Sequence, residues 1–149
     1  MTNTRFLPLL AILFISVSVG CKARNPSTEE LFPGHMIQPA QLAKMMTTDS
    51  AHVPLILNIG PRKNIPGAVK LGAAEEPEGM ANLKARLATL PLDAPVIIYC
   101  GCCPYEHCPN VRPAAELLKG MKFTHYQFLD LPHNIDKDWV GKGFPMATY

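Results

Sequence analysis

Apolar and polar positions follow two rhythms along this chain. Residues 55–59 and 96–99 are short, nearly continuous apolar runs, the first bounded by Pro54 and by Gly60-Pro61. Runs of this length predict strands buried on both faces. Residues 68–71 predict a brief strand and residues 123–128 a further one. Between them the apolar spacing lengthens. Residues 39–47 predict a helix with Pro39 in its first turn and Leu42, Met45 and Met46 on one face. Residues 77–90 carry Met80, Leu83, Leu87 and Leu90 at helical intervals, and residues 113–121 predict a third helix. Strands that alternate with helices predict an α/β fold, a small mainly parallel sheet with helices on its faces. Ligands of such folds sit beyond the carboxyl ends of the strands. The run 96–99 therefore delivers whatever follows it to that edge.

The N-terminal segment obeys neither rhythm. Arg5 is its sole charge before Lys22, and residues 6–19 are almost wholly apolar. That run is shorter than the roughly 20 residues a membrane span needs. A basic start, a short apolar stretch and small residues at its end predict a secretory signal. Ser18-Val19-Gly20-Cys21 resembles a bacterial lipobox, with Ser18 where Leu is usual. That resemblance implies that Cys21 is lipidated and becomes the new N-terminus. The chain then divides into a signal peptide (1–20), a lipidated Cys21 with a polar, Pro-containing tether (21–35), and one folded domain (36–149). It implies a membrane-anchored lipoprotein of the bacterial cell envelope, facing the periplasm or the exterior.

Composition agrees with one packed domain: of 149 residues, 48% are apolar and 17% charged. The net charge of +2 gives no case for nucleic acid. Cysteine usage changes the picture more. Of five cysteines, Cys21 falls at the lipobox and the other four, Cys100, Cys102, Cys103 and Cys108, crowd the segment after the run 96–99. Packing alone does not require four thiols in a loop rich in Gly and Pro. A loop that leads into a helix offers a reason for a reactive one. The first N–H groups of a helix lack intrahelical partners and favour an anion. A thiolate or persulfide held there has its pKa lowered. His107 and Arg112 can add positive charge, Gly101 lets the backbone approach closely, and Pro113 suits a first helical turn.

Several of these segments, in this order, resemble the rhodanese family. Tyr99-Cys100, a loop, and then Ala114-Ala115-Glu116-Leu117-Leu118-Lys119 are similar to its active-site segment. Residues 55–59 look like its first core strand, and Ile65-Pro66-Gly67-Ala68 like its Ile-Pro-Gly-Ala turn. Asp138-Trp139-Val140 with Gly143-Phe144-Pro145 resembles its closing signature. The resemblance covers residues 36–146. It implies a rhodanese-like fold and sulfur transfer without a cofactor. A small sulfur donor loads a cysteine as a persulfide, and a thiol or cyanide-like acceptor unloads it. By position Cys100 is the acceptor, with Arg112, Cys108, Cys103 and Cys102 as further catalytic candidates and Gly101, His107 and Asn110 around the bound sulfur. The chain departs from the family where Asn58, Gly60 and Asn64 replace its usual Asp, Arg and His. Its loop from Cys100 to Ala114 is also longer.

Two other readings stay open. Cys100, Cys102, Cys103, His107 and Cys108 are soft ligands for Zn or Cu, although all lie in one short loop. The same thiols suit a thiol–disulfide redox or sensor protein without sulfur transfer. A bridge between the adjacent Cys102 and Cys103 is strained, so one spanning the loop is preferred. The scattered His35, His52, His125 and His133 read as surface or structural residues. Trp139, Met45, Met46 and Met80 read as core, and residues 130–138 as an exposed loop.

Overall fold

Five parallel strands form one sheet in the order β1-β5-β4-β2-β3 in the computed structural model, which describes Phe32 and residues 34–148. The segment read as a signal peptide, Cys21 and most of the segment read as a tether lie outside these residues. The strands are β1 (Met36–Ile37), β2 (Leu55–Asn58), β3 (Val69–Lys70), β4 (Val96–Tyr99) and β5 (Tyr126–Leu129). Four α-helices connect or flank them: α1 (Pro39–Thr48), α2 (Pro77–Leu87), α3 (Val111–Gly120) and α4 (Ile135–Asp138). The α/β class implied by the patterning is therefore the observed one.

Strand periodicity divides the core in two. Val96 and Ile98 point to the same side as Leu57 and Phe128, where they meet Leu83 and Leu87 of α2 and Ala114 and Leu118 of α3. Ile97 and Tyr99 point to the other side with Ile56 and Leu129, where they meet Leu42 of α1, Ile135 of α4 and Trp139. Because β4 is central and buried on both faces, its side chains are apolar without alternation. Cys100 follows β4 and keeps the period of two, so its sulfur falls on the α2/α3 side.

Several boundaries differ from the patterning. The helix foreseen over 77–90 ends at Leu87, and the one foreseen over 113–121 starts at Val111. The strand foreseen over 123–128 is shifted to Tyr126–Leu129. Residues 130–138 are not simply an exposed loop: Leu131 and Ile135 are buried, and α4 is capped by the Asn134 side chain, which accepts from Lys137 N. β1 is too short to leave a pattern; it is held by β5, with Phe128 N donating to His35 O at 2.7 Å and Asp130 N to Ile37 O at 2.9 Å. Phe32, assigned to the tether by its polar neighbourhood, is only 7% exposed and packs its ring 4.6 Å from that of Phe128. Trp139 is core, as read, and its Nε1 donates to Pro145 O at 2.7 Å, which fastens the C-terminal segment. Among the described residues no helix is long and apolar enough to cross a membrane.

Candidate functional site

The carboxyl edge of the sheet brings together the segment after β2, the loop after β4 and the start of α3. Ile59 N donates to Tyr99 O at 2.9 Å, which extends the β2–β4 pairing one step and sets Gly60 against Cys100. A Cβ at position 60 would lie 2.3 Å from Cys100 O and 2.6 Å from Cys100 Sγ. No side chain fits there. Asn58 shapes the turn that places Gly60: its Oδ1 accepts from Gly60 N at 2.9 Å, and its Nδ2 donates to Asn64 Oδ1 at 2.8 Å and to Arg62 O at 3.0 Å. Asn58, Gly60 and Asn64 thus belong to one local arrangement that makes room for a sulfur.

The loop itself is anchored at three points. Gly101 has φ +74 and its carbonyl accepts from Ile135 N at 3.0 Å, so its lack of a side chain serves a left-handed turn beside α4. The close approach to sulfur expected of Gly101 is made by Gly60 instead. Tyr105 is buried and its hydroxyl donates to Leu129 O at 2.5 Å, which ties the middle of the loop to the end of β5. Asn110, 1% exposed, accepts from Glu75 N at 2.9 Å and donates to Cys100 Sγ at 3.3 Å. Both ends of the Asn110 amide therefore bind protein, where sequence placed it around a substrate.

Four free thiols gather inside this frame. Cys102 Sγ lies 3.1 Å from Cys100 Sγ, 3.0 Å from Cys103 Sγ and 4.0 Å from Cys108 Sγ. Cys100 is 0% exposed and Cys108 6%, while Cys102 and Cys103 are half-buried. Pro109 and Asn110 separate Cys108 from the first residue of α3. The neighbouring Cys100 side chain, and then the backbone at Asn110 and Val111, favour the Cys108 thiolate and hold it down at about 5 against the opposing effect of burial. Cys100 moves the opposite way: its bond to Cys108 and its burial favour the protonated thiol, although the Cys102 N–H faces it. Burial and the neighbouring Cys102 likewise keep Cys103 protonated.

Two predicted members stand apart. Arg112 is exposed and lines a groove with Phe32, His35, Glu116 and Lys119, because the inward face of α3 is taken by Val111, Ala114 and Leu118. His107 is exposed and is not in the ligand group that converges among the described residues, which is Cys100, Cys102 and Cys108 with sulfurs within 4.8 Å of one another. That trio, without Cys103 and His107, is what could hold a soft metal ion. The site also uses Gly60, Asn58 and Tyr105, which sequence reasoning did not assign to it. Their signals were a polar residue ending an apolar strand, a Gly directly after that strand, and a lone aromatic in a cysteine loop.

No protein-family model matches the chain, and no curated protein matches it. Among solved structures, it is similar to a Cys-to-Ser variant of EanB in complex with hercynine, with a TM-score of 0.51 and 18% identity over 80% of this chain and 29% of that one. A Thr-to-Ala variant of EanB with hercynine gives the same score and identity over 78% of this chain and 28% of that one. The chain spans under a third of that protein's length, and at this identity the likeness concerns the fold.

Proposed function

We propose that this chain carries sulfane sulfur as a cysteine persulfide on the loop after β4, in the manner of a rhodanese-type sulfurtransferase. The carrying observation is the convergence of four free thiols where the loop leaves β4 and approaches α3, with Cys102 Sγ 3.1 Å from Cys100 Sγ and 4.0 Å from Cys108 Sγ. The position at the strand end favours Cys100 as acceptor; burial and protonation favour Cys108, with Cys100 as the interior donor that stabilises it.

The step needs no cofactor. The Cys108 thiolate attacks the outer sulfur of a small donor such as thiosulfate. The S–S bond of the donor breaks, sulfite leaves with the electron pair, and a Cys108 persulfide remains. A thiol or cyanide then attacks the terminal sulfur and the thiolate returns. Sulfur moves at constant oxidation state.

Reduced protein exposed to thiosulfate should gain the mass of one sulfur atom on the loop. Cys108→Ser should lose that gain, and Cys100→Ser should keep part of it. No sulfur gain on any of the four thiols sinks this reading. Stoichiometric soft metal in the reduced protein, together with no sulfur uptake, would instead favour the Cys100, Cys102 and Cys108 trio as a metal site.

A further inference from the structure

We infer that Cys102 resolves the persulfide from inside the loop, so that the chain releases hydrosulfide and is returned to its thiol form by a dithiol reductant. This rests on the persulfide reading above and names the acceptor class it leaves open. Cys102 is the thiol whose sulfur lies near all three others, at 3.1 Å from Cys100, 3.0 Å from Cys103 and 4.0 Å from Cys108. It is therefore in place for sulfur loaded on either buried cysteine. Cys100 and Cys108 are 0% and 6% exposed, so a persulfide on either is poorly placed for a bulky external thiol. Cys102 is half-buried and reaches both the interior sulfurs and solvent.

The bridge to Cys108 spans six positions and crosses only a short 3-10 turn, so the loop can close the remaining distance toward a disulfide bond of about 2.05 Å. A bridge to the adjacent Cys103 would be strained. The steps balance as follows. Cys102, as thiolate, attacks the inner sulfur of the Cys108 persulfide. The S–S bond of the persulfide breaks and hydrosulfide leaves with the electron pair. A Cys102–Cys108 disulfide remains. A dithiol then reduces that disulfide through a mixed disulfide, becomes oxidised itself and restores both thiols. Across the cycle thiosulfate and a dithiol become sulfite, hydrosulfide and a cyclic or bridged disulfide, with two electrons supplied by the dithiol. The reaction class that follows this chain is thus one that consumes hydrosulfide, and its partner is a dithiol-bearing reductant that approaches at Cys102.

The test uses the full chain, reduced, freed of reductant and kept anaerobic. On addition of thiosulfate, wild-type protein should release at most one hydrosulfide per chain and form a disulfide that fragmentation mass spectrometry maps to Cys102. Dithiothreitol should convert this single event into turnover. Cys102→Ser, with Cys102→Ala as a second variant and circular dichroism as the check on folding, should retain the added sulfur while hydrosulfide release falls to background. Wild-type protein that keeps its persulfide and releases nothing overturns the inference and leaves the persulfide reading intact. A disulfide that excludes Cys102 also overturns it. Failure of wild-type and both variants to take up sulfur overturns the persulfide reading itself.

Discussion

Gly60 has no side chain because Cys100 occupies the space one would need. The atoms a Cβ would meet are a backbone oxygen and a sulfur held by Asn110, and neither can swing aside as a flexible side chain does. Gly60→Ala should therefore lower stability by about 1–3 kcal/mol or more, as overpacking does in other cores, measured by chemical denaturation. It should also loosen Cys100 enough for alkylation. Cys108 differs in kind, because its environment selects a charge state. A thiol held at about 5 is mostly deprotonated at neutral pH, and its thiolate fraction falls as pH drops through that value. Iodoacetamide alkylation of Cys108, followed by mass spectrometry, should rise with pH to a plateau with a midpoint near 5. Cys100 should stay unreactive at neutral pH because its thiol remains protonated. A midpoint in the ordinary thiol range would remove the reason to choose Cys108.

The loop after β4 is held as an element by contacts to three neighbours. Gly101 O meets α4, Tyr105 meets β5, and Asn110 links the start of α3 to the segment before α2. Tyr105 is fully enclosed, and its hydroxyl satisfies the carbonyl that ends β5. Tyr105→Phe keeps the ring packing and orphans that carbonyl, so it should cost about 1–3 kcal/mol by thermal or chemical unfolding. The same change should slow sulfur uptake more than it lowers stability alone would explain, since it frees the middle of the segment that carries three of the four thiols. Uptake unchanged at full folding would show that the loop needs no anchor at its centre.

In the whole molecule the reactive edge and the N-terminal approach to the domain lie on the same strand neighbourhood. Phe32 packs on Phe128 and edge-on to Tyr105, with ring centroids 4.6 Å and 6.4 Å away. The chain that arrives from the segment read as a tether therefore docks beside the loop that holds the thiols. We propose that this segment leads from a lipid on Cys21 at the bacterial cell envelope. Expressed in a bacterial host, the wild-type chain should fractionate with membranes, and Cys21→Ser should move to the soluble or secreted fraction. Cys21→Ser that still carries a lipid would end the anchoring proposal.

Much of this was legible in the residues alone. Continuous apolar runs at 55–59 and 96–99 and helical spacing at 77–90 report burial directly, because burial on one or both faces dictates which side chains are apolar. They placed Cys100 at the end of a central strand and four thiols at a carboxyl edge. Local pattern carries no information on which groups from distant segments meet. A two-residue strand, β1, exists only because β5 offers it partners, and Gly60 reveals its purpose only when β2 is laid beside β4. Which sulfurs meet depends on how the loop folds back, and that depends on the long-range ties of Tyr105 and Asn110. Proximity through space put Cys102 at the centre of the cluster, while spacing along the chain favoured Cys100.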